Sequence, residues 1–323
     1  METTAATFFD LVRADLEEVE ARMRSSPAGH HPQLADAIEH LVSSGGKRLR
    51  PILVLLTCGM LGADCDASIT LAAAVEMLHT ATLVHDDLID GSLIRRGYPT
   101  LNTKLSLGAT VLTGDYIFAR AAHLASGIGS KELMRIFSRT LMTIVNGEIS
   151  QLFGTDVEDA RQEYFDRIYA KTASLFEVSC EGGALLSQSE SEVVATMKSF
   201  GYNVGIAFQI VDDILDFVSE QERVGKPVAN DLRQGLITLP TLYYLESNPE
   251  DGHMHEKLVQ RKMSDEAIEH LIQNIRNSGA IDQALEQAEE FISTANKLLE
   301  GMSSTPERDG LYELADYVVR RTI

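Results

Sequence analysis

The stretch Ala81-Thr82-Leu83-Val84-His85-Asp86-Asp87-Leu88-Ile89-Asp90 places three aspartates at the end of an apolar run. A second stretch, Phe208-Gln209-Ile210-Val211-Asp212-Asp213-Ile214-Leu215-Asp216, repeats this spacing 126 residues later. In a helix the first and fifth residues of such a cluster lie on one face, about one turn apart. Carboxylates held together in apolar surroundings destabilise the helix unless a cation compensates them. We therefore predict a site for hard divalent ions, of which Mg²⁺ shared with substrate phosphates is the typical case.

A single acidic cluster does not by itself indicate a metal site. The chain carries a formal net charge of -20, so one such cluster is equally well interpreted as a solvated helix face. Two matching clusters instead favour two helices that face each other across one cavity. A calcium-binding loop fits poorly, because the alternating ligands and the distal glutamate of that loop are absent.

The rest of the chain has the periodicity of helices. Apolar residues recur at intervals of three and four. We predict a helix that has Pro51 in its first turn and runs to about Leu61, and further helices over 70–89, 132–153 and 164–186. Alternating β patterns are rare, and no Pro-, Gly- or Ser-rich linker divides the chain. We predict an all-α fold in which residues 1–323 form a single-domain bundle of ten or more helices, whose core-facing side chains build the site.

Composition excludes several classes of protein. With 323 residues and 44% hydrophobic content the chain can bury a large core, and its negative charge disfavours nucleic acid as a partner. No apolar run reaches the length needed to span a membrane, because Glu76 and His79 interrupt the stretch 69–84. We therefore expect no transmembrane segment. The N-terminus lacks a basic-then-apolar secretion signal, and we expect a cytoplasmic protein.

Three basic segments stand out against the acidic background: Gly45-Gly46-Lys47-Arg48-Leu49-Arg50-Pro51, Arg95-Arg96-Gly97 and Gly225-Lys226-Pro227. Glycine lets backbone approach an anion, and arginine matches phosphate oxygens bidentately. Taken singly, each segment is more readily a solvated basic turn. Arg95 and Arg96 follow Asp90 by five and six residues, however, so phosphates bound by metal and by arginine would be neighbours.

In this order the aspartate clusters and basic segments resemble those of the trans-polyprenyl diphosphate synthases. Tyr169-Ala170-Lys171-Thr172-Ala173 and the segment from Gly225 to Leu232 match two further motifs of that family. The resemblance implies an all-α bundle around a deep central cavity, usually homodimeric. It implies Mg²⁺-assisted ionisation of an allylic diphosphate (geranyl, farnesyl or geranylgeranyl) and head-to-tail condensation with isopentenyl diphosphate.

The resemblance also assigns roles to individual residues. Three Mg²⁺ ions per active site would be held by Asp86, Asp90, Asp212 and Asp216, while Asp87 and Asp213 orient ligands or waters. The allylic diphosphate would be gripped by Arg95, Lys171 and Lys226, and the allylic cation stabilised by Thr172 and Gln209. Isopentenyl diphosphate, which binds without metal in this family, would lie on Lys47, Arg50, His79 and Arg96. For His79 alone, a buried structural histidine is the alternative.

One position departs from the family pattern, and the role of two C-terminal arginines stays open. Many members carry a second lysine after the aspartate of the Gly-Lys motif, whereas this chain has Leu236 in Gly235-Leu236-Ile237-Thr238. One contact to the allylic diphosphate is therefore missing, as it often is in long-chain members. At the C-terminus, Arg320 and Arg321 either close over isopentenyl diphosphate or form a frayed basic tail.

Product length is predicted from the residues before Asp86. An isoprene unit is about as long as one helical turn, about 5 Å, so side chains one turn earlier decide whether a growing tail passes. Ala81 and Thr82 are small there, which predicts a product longer than C15, in the C30–C50 range. Met77 and Leu78 lie one turn earlier in the helix, further from Asp86. The alternative is that these two side chains stop the product at C20.

Rival functions use similar chemistry. A head-to-head synthase or terpene cyclase also has two acidic clusters, but it does not need a site for isopentenyl diphosphate at Lys47, Arg50 and Arg96. A non-catalytic subunit of a heteromeric synthase tends to lose aspartates, whereas both clusters are complete in this chain.

Overall fold

The computed structural model describes residues 7–25, 31–153, 159–218, 229–252, 254, 257–258, 260 and 262–321. The helices are α1 (Phe8–Arg24), α2 (Pro32–Ser43), α3 (Leu49–Leu61), α4 (Cys65–Ile89), α5 (Leu107–Gly127), α6 (Lys131–Phe153), α7 (Ala160–Ile168), α8 (Ser174–Leu186), α9 (Ser191–Val218), α10 (Asn230–Arg233), α11 (Leu239–Ser247), α12 (Asp265–Asn277), α13 (Ala280–Leu299) and α14 (Pro306–Arg320). Two strands of two residues each, β1 (Ile94–Arg95) and β2 (Tyr98–Pro99), pair antiparallel. The predicted all-α class is confirmed.

The helices begin and end where local sequence favours it. Asp64 caps α4 by accepting a hydrogen bond from the Ala67 backbone N–H at 2.9 Å. Gly62 ends α3 in the left-handed conformation that glycine adopts without strain, with φ of 74°. The prediction for α3 is confirmed: the helix begins at Leu49 and ends at Leu61, and Pro51 lies within its first turn, where a missing N–H costs nothing.

The described residues divide into two compact units. Unit 1 comprises those within Met1–Met142, Leu175–Gly201 and Gly301–Glu313. Unit 2 comprises those within Thr143–Ser174, Tyr202–Glu300 and Leu314–Ile323.

Helix α4 forms the centre of unit 1. Every residue from 71 to 78 is buried, and the helix contacts α1, α3 and α5. Gly114 of α5 lies directly against the His85 ring, where any side chain would overlap the imidazole. Packing on several sides therefore fixes α4, and with it the aspartate cluster at its C-terminal end.

Length and composition alone would allow α4 to cross a membrane. Of its most apolar 18-residue stretch, 67% is buried inside the structure. Glu76 in the middle of the helix is also buried, and it is paired with an arginine. These are the properties of a core helix.

Unit 2 has its own hydrophobic core. Its helix α11 contacts α7, α12 and α13. One cluster of buried apolar side chains in this unit contains Phe217, Ala229, Leu232, Tyr244, Leu258, Ile268, Leu271, Ile272, Ile275 and Ala280. Phe217 ties this cluster to the C-terminal turn of α9, which carries the second aspartate cluster.

The helix predicted over 164–186 is interrupted. Between α7 and α8 the chain forms a π-helical turn at Tyr169–Ala173. Periodicity did not predict this turn, because one extra residue in a helix leaves the apolar pattern on either side intact. Such turns occur often at functional sites, and this one carries Lys171 and Thr172.

Candidate active site

The first aspartate cluster lies where α4 ends, as predicted. Asp90 is the C-terminal cap and is exposed, Asp86 is half-buried, and Asp87 is buried. The Asp87 carboxylate accepts a hydrogen bond from Arg95 Nε at 2.8 Å. Asn102 reaches the Asp87 carbonyl from a neighbouring short 3₁₀ turn. Arg95, predicted to grip a diphosphate, thus also holds the middle aspartate in place.

The second cluster lies in the last turns of α9 in unit 2. The Asp216 carboxylate accepts a hydrogen bond from the Asp231 backbone N–H at 3.0 Å. The Asp212 carboxylate is 2.8 Å from a guanidinium nitrogen of Arg321. Asp213 points into the core of the unit and is buried. The three aspartates of this cluster therefore have three different surroundings.

Arg321 is held at Asp212 by more than charge. Its guanidinium carbon lies 4.0 Å from the centre of the Phe208 ring, and it donates a hydrogen bond of 2.7 Å to the Phe208 carbonyl. Its side chain is 8% exposed, whereas the side chain of Arg320 is 75% exposed. Of the two C-terminal arginines, Arg321 is fixed and Arg320 is on the surface.

The donor groups fit Mg²⁺ when substrate completes the coordination shell. Asp86 and Asp90 lie one turn apart on α4, and Asp212 and Asp216 one turn apart on α9. Within the described ranges, no group of three or more His, Cys, Asp or Glu side chains is placed to hold a metal by itself. Paired carboxylates match an ion that keeps waters and binds phosphate, and they do not match an all-protein cage.

The basic segments at 45–51 and 95–97 meet in unit 1. Arg96 donates a hydrogen bond to the Gly45 carbonyl. A side chain on Gly46 would displace the Arg96 guanidinium from this position. Arg96 itself has a φ of 53°, a left-handed conformation that is uncommon for arginine and that tertiary contacts must hold.

Arg48, in the middle of the first basic segment, has a structural role that sequence reasoning missed. It contacts Glu76 at 2.8 Å and Glu20 at 3.1 Å, and it donates to the Val42 carbonyl. The side chains of Arg48 and Glu76 are only 9% and 5% exposed. Neighbouring Lys47 is exposed. Glu76 stands within the apolar sequence of α4, and this was the signal that could have indicated a buried basic partner.

His79 lies near several arginines. Burial lowers the pKa of His79 well below its ordinary value, and the charges of Arg50, Arg96 and Arg95 lower it further. A cleft in unit 1 is lined by His79, Arg95 and Arg96 together with Asp87. The structure thus brings three predicted phosphate-binding residues to the end of the aspartate cluster.

The π-helical turn positions Lys171 in unit 2. Its ammonium group lies 3.1 Å from Glu148 of α6. Next to Glu148, a side chain on Gly147 would place its Cβ 2.5 Å from the Ala170 Cβ, so glycine allows α6 and the turn to approach closely. Glu148 is a second residue that the sequence patterns did not single out.

Thr172 and Gln209 are joined directly. The Thr172 hydroxyl donates to Gln209 Oε1 at 2.7 Å, and Gln209 Nε2 donates to Asp213 at 2.7 Å. Burial, followed by the nearby charge of Asp231, raises the pKa of Asp213 to about 8. Tyr164, which sequence reasoning also missed, donates its hydroxyl to the other oxygen of Asp213 at 2.8 Å.

The remaining predicted residues are placed as follows. Arg50 lies in the first turn of α3, with its guanidinium 4.9 Å from the centre of the Phe176 ring. Ala81, Thr82, Met77 and Leu78 are buried within α4. Leu236 follows α10 and is half-buried. Lys226 falls outside the described residues, so its predicted contact stays a prediction.

Comparison with known proteins identifies the family. Residues 31–275 match the family described as Polyprenyl synthetase. The chain belongs to this family. It is 35% identical over 315 residues to heptaprenyl diphosphate synthase component 2 of Bacillus subtilis, covering 97% of this chain and 90% of that one.

Solved structures of polyprenyl synthetases agree along nearly the whole chain. A decaprenyl diphosphate synthase from Rhodobacter capsulatus superposes with a TM-score of 0.89 at 33% identity, covering 98% of both chains. A polyprenyl synthase from Caulobacter crescentus, solved with calcium and isoprenyl diphosphate, gives a TM-score of 0.86 at 35% identity, covering 98% of this chain and 97% of that one. The predicted family and the predicted prenyltransferase class are confirmed.

Proposed function

We propose that this polyprenyl synthetase extends an allylic diphosphate with isopentenyl diphosphate to a trans-polyprenyl diphosphate of C30–C50. The cleft of unit 1 carries the proposal, because His79 and Arg96 lie there beside Asp87 at the end of the first aspartate cluster. Cations grouped next to paired carboxylates suit a diphosphate on one side and a metal-bound diphosphate on the other.

Each cycle makes one carbon-carbon bond. The bond between C1 of the allylic substrate and its diphosphate oxygen breaks, and its electron pair leaves with the diphosphate. The double bond of isopentenyl diphosphate supplies the electron pair that joins its C4 to C1. A proton is then lost from C2 to the released diphosphate, which restores a double bond and leaves a chain five carbons longer.

The residues divide between the two substrates. We assign isopentenyl diphosphate to Lys47, Arg50, His79 and Arg96, and the allylic diphosphate to Arg95, Lys171 and Lys226. The proximity of His79 to Arg50 and Arg96 supports the first assignment. The oxygens of Thr172 and Gln209 would stabilise the developing allylic cation through their dipoles.

We assign three Mg²⁺ ions to Asp86, Asp90, Asp212 and Asp216. When bound, Mg²⁺ supplies positive charge that stabilises the departing diphosphate. The spacing of each pair along its helix supports this assignment. So does the presence of calcium and isoprenyl diphosphate in the Caulobacter crescentus structure.

Activity and metal dependence are tested in one experiment. Purified protein is incubated with farnesyl diphosphate and labelled isopentenyl diphosphate, with Mg²⁺ or with EDTA, and the products are separated by chromatography. We expect labelled products of C30–C50 with Mg²⁺ and none with EDTA. Products that stop at C20 would contradict the proposed length, and metal-independent condensation would contradict the proposed site.

Two variants test the aspartates against a matched control. Asp86→Asn and Asp212→Asn should each lower the rate by at least about a hundredfold, since each removes a proposed metal ligand. Asp66→Asn changes an exposed aspartate at the other end of α4, paired with Arg22, and should keep the wild-type rate. Equal rates in all three variants would remove the aspartates from the mechanism.

The exposed apolar face of α6 bears on the oligomeric state. We propose a cytoplasmic homodimer in which residues 1–323 act as one catalytic domain. Helix α6 supports the dimer, because Val145, Ile149 and Leu152 recur at helical spacing and are each more than 40% exposed. Light scattering should give twice the chain mass, and Ile149→Asp should give a monomer.

The name of the Bacillus subtilis relative, component 2, favours one alternative, a subunit that requires a different partner chain. Assay of the purified chain alone separates the two possibilities. Condensation by this chain in isolation supports the homodimer, whereas activity only after addition of a second protein supports the two-component enzyme.

A further inference from the structure

Three hydrogen bonds connect a buried tyrosine to Thr172 within unit 2. The Tyr164 hydroxyl donates to one oxygen of Asp213 at 2.8 Å. Gln209 Nε2 donates to the other oxygen at 2.7 Å. The Thr172 hydroxyl donates to Gln209 Oε1 at 2.7 Å. The chain of bonds thus runs from α7 through α9 to the π-helical turn.

Water cannot easily replace the inner part of this network. Tyr164 is 1% exposed and Asp213 is 4% exposed. Buried hydrogen bonds of this kind are costly to leave unmade, so both groups are held in fixed orientations. One oxygen of Asp213 therefore offers Gln209 an acceptor at a defined position, whether or not the other oxygen carries a proton.

A glutamine amide has a donor end and an acceptor end, and its surroundings decide which way it points. Asp213 takes the amide nitrogen, so the amide oxygen must face Thr172. Thr172 then uses its proton on Gln209, which leaves the lone pairs of its own oxygen available. Rotation of the Gln209 amide by half a turn would instead point its hydrogens toward Thr172, and the amide dipole would then disfavour a carbocation on that side.

We infer that Tyr164 is a positioning residue for prenyl transfer, which acts through Asp213 to hold the Gln209 amide oxygen toward Thr172 and the developing allylic cation. The inference rests on the roles proposed above for Thr172 and Gln209. Tyr164 itself touches neither substrate.

A purely structural role for Tyr164 is the alternative. The Tyr164 ring packs edge-on against Phe165 at 5.3 Å, and Arg167 lies 5.6 Å from its centre. Tyr164→Phe keeps the ring and removes only the hydroxyl. If the ring alone matters, this change alters thermal stability slightly and leaves the reaction rate unchanged.

The test is a double-mutant cycle measured in single turnover, with farnesyl diphosphate and labelled isopentenyl diphosphate mixed with excess enzyme. Tyr164→Phe should slow the first condensation about tenfold, as loss of a supporting hydrogen bond typically does. Gln209→Ala should slow it at least as much, and adding Tyr164→Phe to Gln209→Ala should have no further effect. The KM for isopentenyl diphosphate and the Mg²⁺ concentration for half-maximal rate should stay unchanged in Tyr164→Phe.

Tyr244→Phe is the matched control. Tyr244 is also a buried tyrosine of unit 2 whose hydroxyl donates to an aspartate, here Asp251, and it lies in the hydrophobic cluster of that unit. This variant should lose some stability and keep the wild-type rate. Melting curves for all variants establish that each is folded at the assay temperature.

Several outcomes would overturn the inference. A wild-type rate in Tyr164→Phe alongside a slow Gln209→Ala would refute the role of Tyr164 and leave the role of Gln209 intact. Losses that simply multiply in the double variant would show that Tyr164 does not act through Gln209. A wild-type rate in Gln209→Ala would refute the site assignment itself. If Tyr164→Phe does not fold, the same cycle is run with Asp213→Asn and Gln209→Ala. An effect of Asp213→Asn that disappears in the double variant supports positioning through Asp213, and losses that multiply refute it.

Discussion

The guanidinium of Arg321 lies 2.8 Å from the carboxylate of Asp212, a residue to which we assign Mg²⁺. One cation therefore already neutralises this carboxylate, and a metal ion must compete with it. The pair is only partly shielded, because the Asp212 side chain is 40% exposed, so the interaction is weaker than that of a buried ion pair.

Arg321→Gln should lower the Mg²⁺ concentration needed for half-maximal activity, by roughly two- to fivefold. It should also lower the melting temperature, since contacts with Phe208 are lost. Magnesium titration of the initial rate measures the first effect. Arg320→Gln, which changes the exposed neighbour, is the control and should leave both quantities unchanged. An increased magnesium requirement in Arg321→Gln would mean that Arg321 assists metal binding.

Adjacent residues in the first basic segment should respond differently to mutation. Arg48→Met leaves the buried Glu76 carboxylate without its partner and should reduce the free energy of unfolding by about 3–5 kcal/mol. Lys47→Met, at an exposed position, should keep stability and raise the KM for isopentenyl diphosphate. Urea denaturation and initial-rate kinetics distinguish the two. Recovery of stability in Arg48→Met with Glu76→Leu would confirm that the unpaired charge is the cause; no recovery would contradict it.

Binding of isopentenyl diphosphate should take up a proton at His79. Burial and four nearby arginines hold the pKa of free His79 well below 6.5, and a bound diphosphate would raise it. Because the complex has the higher pKa, affinity should increase as the pH falls, by at most about tenfold per pH unit. Calorimetry of isopentenyl diphosphate binding at about pH 6, in buffers of different ionisation enthalpy, measures the proton uptake. The His79→Gln variant should take up fewer protons than the wild type, because the ionisation of the diphosphate itself is common to both proteins. Equal uptake in both proteins would assign the proton to another group.

Ala81→Phe should shorten the product. Ala81 is fully buried in α4, one turn before Asp86, so a ring there would block a tail that descends along the helix. Overpacking should also cost about 1–3 kcal/mol of stability, and the assay is therefore run well below the melting temperature of the variant. Product chromatography measures the length. An unchanged distribution would show that the tail takes another route.

The sequence by itself predicted the all-α class and the end of α4 at the first aspartate cluster. Helical periodicity and the four-residue spacing of the outer aspartates in each cluster are local properties, and local geometry follows from them directly. The match of motifs in order along the chain was enough to predict the family, because it combines residue type with spacing over more than a hundred positions.

Only the tertiary structure decided which charged residues face the site and which support it. In the segment around Lys47, the pairing of Arg48 with Glu76 distinguishes a structural arginine from its neighbours, and no local pattern carries that information. The same holds for Tyr164 with Asp213 and for Arg321 with Asp212, which are separated by 49 and 109 residues in sequence. Pairings over such distances depend on how helices pack, and packing is fixed by the shape of the whole core and not by the spacing within any one segment.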